Sequence, residues 1–228
     1  FFKQKTAYEI SACLVGSEMC IRDSTTFTKA EKRLEFSDDL SLWADISYTQ
    51  QKSIGEELIG DFKTHLISTR LELVAGDNKF RVGASRTDDG GNIQKPYGTP
   101  AKSLSILINA YDRAEADACS LGYSRDLGQV GPGALSFFAT AVWGDTPDTG
   151  PNASADASEF DLTVDWRLNE GWSDKIWVRF RGAWVRYDSD YPGADDLFDF
   201  RIIVNYASIC SLGNLQKGPI QVLCRSPS

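Results

Sequence analysis

Between residues 26 and 206, stretch after stretch alternates polar and apolar side chains with a period of two. Leu40, Leu42, Ala44, Ile46 and Tyr48 share one parity; Ser41, Asp45, Ser47 and Thr49 share the other, with Trp43 the exception. Phe160, Leu162, Val164, Trp166 and Leu168 alternate with Glu159, Asp161, Thr163, Asp165 and Arg167. Ile176, Val178, Phe180, Gly182 and Trp184 alternate with a parity bearing Arg179 and Arg181. Phe198, Phe200, Ile202, Val204 and Tyr206 alternate with Asp199, Arg201 and Asn205. Successive strand side chains point to opposite faces, so a period of two means strands with one apolar and one polar face. The pattern predicts nine strands, at 26–36, 40–50, 62–74, 79–87, 114–124, 134–144, 158–168, 175–187 and 197–206. Most approach the roughly 9–11 residues that cross a bilayer at a tilt.

The connections alternate as well. Short turns are expected at Ser37–Asp39, Ala75–Asn78 and Asn169–Asp174, with a slightly longer one at Arg125–Gly133. Longer polar loops are expected at 51–61, 88–113, 145–157 and 188–196. Short turns at one end and long loops at the other is the arrangement of bacterial membrane barrels. The fold class is therefore all-β, an antiparallel transmembrane β-barrel placed in the bacterial outer membrane.

Composition narrows the function classes. A net charge of −8 argues against nucleic-acid binding, which needs a basic face. The sequence has no run of about 18 apolar residues, so no transmembrane helix is expected, and this leaves a barrel untouched. Aromatic residues near expected strand ends (Tyr48, Tyr123, Trp143, Trp172, Tyr187, Tyr206) suit a membrane interface. The runner-up fold is a soluble carbohydrate-binding β-sandwich. It would collect its aromatics on one exposed platform, where a barrel spreads them over two girdles. The polar face favours the barrel: it carries arginine or carboxylate on nearly every strand, whereas a face in bulk water would be expected to use lysine.

The two ends read differently from the middle. Residues 1–24 lack the basic start and apolar core of a signal peptide. Phe1–Glu9 and Leu14–Ser24 instead resemble, in one frame and at matching spacing, translated sequencing-adapter DNA, with a variable index over Ile10–Cys13. Residues 1–24 are accordingly expected to be non-native and to add no strand in register with the wall, the native N-terminus and its signal peptide being absent. The barrel portion is placed at 25–207. Residues 208–228 lose the alternation and hold Cys210 and Cys224, so a non-native or frameshifted tail is expected there. No two of the five cysteines have the short spacing of a metal or redox site.

From about Ala30 to Tyr206 the chain resembles the OprD-type specific porins of Gram-negative bacteria. Phe36-Ser-Asp-Asp-Leu-Ser-Leu42 is similar to that family's short periplasmic turn, and Asp126-Leu-Gly-Gln-Val-Gly-Pro-Gly-Ala-Leu-Ser-Phe137 to its turn before a late strand. Gly144-Asp145 follows that strand as the family's Gly-Asp does. Val178-Arg-Phe-Arg181 and Arg201-Ile-Ile-Val-Asn-Tyr206 resemble its last two strands. The resemblance implies a barrel of about eighteen strands, of which about nine meander strands are present here as a partial barrel. It also implies a narrow eyelet with a column of basic residues, onto which Arg179, Arg181 and Arg201 map. Thr140 stands at a basic family position, so the column is altered and the family's usual substrates do not transfer directly.

Selectivity in a pore comes from bore, lining charge and hydrogen-bonding groups. By alternation, Arg33, Arg70, Arg81, Arg167, Arg179, Arg181 and Arg201 are expected to line it together with Glu31, Glu72, Asp161, Asp165 and Asp199. Arginine stays charged and offers a fork of donors to a carboxylate. Each of these arginines could touch solute or merely brace the wall through cross-strand pairs, such as Asp161 or Asp165 with Arg179 or Arg181. The expected partners are outer-membrane lipid and small polar solutes such as carboxylates, amino acids or peptides, passing through a monomer or trimer. No cofactor, metal site or catalytic residue is expected. His65, the only histidine, has no evident nucleophile or orienting partner, so an outer-membrane lipase is disfavoured. The acidic loop 188–196 could concentrate cations or hold divalent ions that bridge lipopolysaccharide; a solvated loop is the plainer reading. Asn152-Ala-Ser154 is a chance match to a glycosylation acceptor.

Overall fold

All nine expected strands form, and in the expected order. The computed structural model describes residues 3–10, 23–54, 60–94, 104, 106–169, 176–188 and 194–206. The strands are β1 (Lys3–Ile10), β2 (Asp23–Ser37), β3 (Leu40–Ser53), β4 (Lys63–Ala75), β5 (Asn78–Thr87), β6 (Asp117–Val130), β7 (Gly133–Asp145), β8 (Ala157–Leu168), β9 (Ile176–Tyr187) and β10 (Leu197–Tyr206). They make one sheet in sequence order, every neighbouring pair antiparallel.

Two expectations are corrected. Residues 1–24 do contribute a strand: β1 pairs with β2 from Lys3↔Glu31 to Ile10↔Thr25, interrupted between Lys5 and Tyr8. The physical reason is that β2 has a free edge of unpaired N–H and C=O groups, on which any extended segment can add. β1 lies at the sheet edge and not between wall strands. The expected tail at 208–228 lies outside the described residues, as do most of the acidic loop, the 170–175 turn with Trp172, and every cysteine but Cys119.

The second correction concerns β6, which runs six residues past its expected end at 124. A bulge between Asp126 and Gly128 absorbs the extra residue, and pairing then continues to Val130↔Gly133. Gly128 has φ 68° and its N–H donates to Asp126 Oδ1 at 2.9 Å. The turn itself is only Gly131–Pro132, with Gly131 at φ 60°, where a Cβ would be strained. The other tight turns, at 38–39 and 76–77, lie at the same end of the sheet, and the long connections at the other.

Burial is inverted relative to a water-soluble protein. The side chains sealed from solvent are largely polar: Gln51, Thr64, Thr87 and Glu159 are 0–2 % exposed. The apolar parity is open. Leu71, Phe80, Val82, Leu121, Phe160, Phe200, Ile202 and Val204 are 42–66 % exposed. Register places these on one continuous face, through Leu71↔Val82, Val82↔Leu121, Phe160↔Trp184 and Phe180↔Ile202. A contiguous apolar face of that extent belongs against hydrocarbon.

Its aromatics fall into two groups at opposite strand ends. Phe80, Tyr123 and Phe137 pack near the short turns, with ring centroids 5.0 and 5.4 Å apart. Phe160, Trp184 and Phe198 pack towards the long loops, at 5.6 and 5.2 Å. Two girdles, not one platform, is the barrel's distribution. Tyr187 is an exception to the expected interface set: it lies on the polar parity and donates to Asn109 Oδ1 at 3.1 Å.

Candidate functional site

The polar face carries a ladder of arginines, most of them tied to a carboxylate or laid on an aromatic ring. Asp45↔Arg70 is a direct cross-strand pair, and both Nε and Nη2 of Arg70 donate to Asp45 Oδ2, at 3.1 and 2.9 Å. Lys29 approaches the same carboxylate at 3.6 Å, and Lys29 and Arg70 both stack on Trp43. That explains Trp43, the residue out of step with the alternation: its π face holds cations on the polar side. Arg81 donates to Glu72 Oε2 from Nε at 2.8 Å and stacks on Phe138. Arg33 donates to Ser41 Oγ at 3.3 Å and lies 3.5 Å from Glu35. Glu31 receives Lys29 at 3.0 Å.

On the last three strands the ladder divides. Asp165↔Arg179 is a direct pair with two-pronged bonding at 2.6 and 2.7 Å, and Arg179 stacks on Trp177. Arg167 covers Trp177 as well. Arg201 donates to Asp199, two residues away on its own strand. Arg181 sits between Thr163 on β8 and Arg201 on β10. No carboxylate bonds it among the described residues, and its Nε is buried without a hydrogen-bond partner. A double-mutant cycle on Asp165 and Arg179 is expected to give a coupling of about 1 kcal/mol, the scale for a partly exposed forked pair. Heat-unfolding of the folded barrel in detergent reads it, and a coupling indistinguishable from zero would contradict the geometry.

The connection between β5 and β6 does not extend into solvent as a polar loop. Its second part, residues 104 and 106–116, packs on the polar face. Leu104 and Tyr111 form an apolar cluster with Ala118 and Val142, both of the polar parity. Glu159 accepts the backbone N–H of Ile108 on Oε1 and of Asn109 on Oε2, and Asp161 Oδ2 accepts that of Leu107, each at 2.8 Å. Asp161 therefore does not pair with Arg179 or Arg181, as the sequence allowed. Burial, and then the nearby Glu159 carboxylate, push the Tyr111 hydroxyl above its ordinary value, so it stays neutral. Near the long-loop end of β3, Gln51 holds the first part of the connection through a reciprocal pair with the backbone of Gln94, at 2.7 and 2.8 Å.

Sequence reasoning missed this inward segment and Glu159 as its holder. The signal was present: Leu104, Ile106, Leu107, Ile108, Ala110 and Tyr111 are too apolar for a solvated loop. His65 lies at the long-loop end, bonded through Nδ1 to the Tyr48 hydroxyl and 3.9 Å from Asp88.

An antiparallel meander with an apolar outer face, two aromatic girdles and a charged polar face defines an outer-membrane β-barrel. A family model described as outer membrane porin, OprD family, matches residues 24–209, and the chain belongs to that family. No curated protein matches it by sequence. Among solved structures it is similar to three Pseudomonas aeruginosa proteins, each with 81 % of this chain covered and a TM-score of 0.72. They are OccK1 (OpdK), 16 % identical over 49 % of its chain; OccK3 (OpdO), 22 % identical over 49 %; and the outer membrane protein OprD, 18 % identical over 52 %. The chain thus spans about half the length of these structures, in keeping with a partial barrel in the bacterial outer membrane. The β-sandwich alternative is not favoured.

Proposed function

We propose that this chain supplies about half the wall of a substrate-selective pore, with its polar face lining the passage and its arginine ladder attracting small solutes that carry a carboxylate. The observation that carries the reading is the contrast along the ladder. Arg70, Arg81, Arg179 and Arg201 are each neutralised by a carboxylate, whereas Arg181 has none bonded among the described residues and its Nε has no hydrogen-bond partner. A guanidinium in that state is the natural contact for a passing carboxylate, because it offers a fork of charged donors at fixed geometry. The paired arginines brace the wall and shape the field around it. The remaining wall of the full-length barrel completes the passage. Passive diffusion needs no catalytic group, and His65, engaged at the rim by Tyr48, is read as structural.

Single-channel recording in planar bilayers tests this on the full-length porin. Replacing Arg181 with alanine is expected to shift ion selectivity towards cations and to weaken the dependence of conductance on added carboxylate solutes. Arg179→Ala adds to the shift, because it removes a cation and leaves Asp165 uncompensated. Unchanged selectivity and unchanged uptake of carboxylates in both variants would mean that these arginines only brace the wall.

A further inference from the structure

The structure assigns Glu159 and Asp161 a role that their charge alone does not suggest: we propose that they are positioning residues that latch the inward segment across the passage and so set its bore. This rests on the pore reading above and deepens it. Three successive backbone donors, of Leu107, Ile108 and Asn109, converge on two carboxylates of one strand, each bond 2.8 Å long. Both acids are nearly sealed, Glu159 at 2 % and Asp161 at 5 % exposure. A carboxylate so enclosed is costly unless its oxygens are satisfied, and an irregular segment's N–H groups are equally costly unless they find acceptors. Three of the four carboxylate oxygens and the three N–H groups satisfy one another, while Asp161 Oδ1 stays buried without a hydrogen-bond partner among the described residues. β8 is a wall strand bonded along its length to β7 and β9, so it offers a fixed anchor to a segment without secondary structure of its own.

The latch also explains why two acids can sit on a face meant to attract anions. Glu159 turns both of its oxygens, and Asp161 one of its two, towards backbone donors and not towards the passage.

Glu159→Gln with Asp161→Asn keeps the side-chain volumes but replaces charged acceptors with neutral ones. It also turns an NH2 group towards backbone N–H donors at Glu159. Charged and neutral hydrogen bonds differ enough that each substitution is expected to shift the seated-to-unseated ratio of the segment about tenfold. The test uses the full-length porin in planar bilayers with uncharged polyethylene glycols of graded size, which report bore independently of lining charge. The double variant is expected to admit larger polymers than the wild type, with higher conductance and more frequent steps between conductance levels. An unchanged size limit and unchanged conductance would overturn the latch while leaving the pore reading intact. Absence of any channel in the wild type would overturn both. Should the double variant fail to assemble, Asp161→Asn alone, which weakens a single bond, is expected to shift the size limit in the same direction, and no shift in it would overturn the latch.

Discussion

Replacing Ile202 with arginine is expected to cost the folded barrel roughly 2–4 kcal/mol, whereas the same arginine at the neighbouring Ile203 is expected to be tolerated. The two positions differ only in parity. Ile202 lies opposite Phe180 on the apolar face and is 59 % exposed, near the middle of β10. Ile203 lies opposite Arg179 on the polar face. A charge at the first site has to be carried into hydrocarbon; at the second it joins a charged surface. A slip of one residue in register would exchange the two outcomes, because the side-chain period is two. Urea-dependent unfolding from lipid vesicles measures both variants. Equal destabilisation at the two sites would contradict the assignment of faces.

Gly144→Val is expected to displace the inward segment without altering any charge. A Cβ built on Gly144 would lie 2.3 Å from Tyr111 Cδ1 and 2.7 Å from Cε1, well inside contact distance. Tyr111 is itself 6 % exposed and packed with Ala118 and Val142, so the ring cannot yield without lifting residues near it. Overpacking of this kind costs roughly 1–3 kcal/mol, enough to compete with the contacts that hold a single loop. The expected result is a channel of higher conductance with its barrel intact. A folded Gly144→Val barrel with wild-type conductance would mean that the segment does not narrow the passage.

The strands were legible because the alternation is enforced twice, by lipid on one side and by charge on the other. Where only one constraint acts, reading the sequence fell short. Trp43 looked like a break in the pattern until its cations, Lys29 and Arg70, were seen to come from neighbouring strands. Gly128 and Gly131-Pro132-Gly133 suggest one long turn after 124; the first glycine instead relieves a bulge within β6. Alternation allows Asp161 to pair with arginines of β9, yet it bonds Leu107, 54 positions earlier in the chain. Such a contact depends on how a non-repeating segment folds back, and periodicity carries no information about that. The strand at Lys3–Ile10 teaches the reverse lesson: an open edge recruits whatever extended chain is near.

On the pore reading, one parity of each strand faces water inside the passage and the other faces lipid. Cysteines placed singly along β9 of the full-length porin test it most directly, after Cys119, which is exposed on the apolar face, has been replaced by serine. The expected result is that a charged, membrane-impermeant thiol reagent modifies positions 177, 179 and 181 and lowers the current stepwise. Positions 178, 180, 182 and 184 are expected to stay unmodified, because hydrocarbon excludes the charged reagent and suppresses the thiolate. Modification of the even series, or modification of the odd series with no change in current, would contradict the claim.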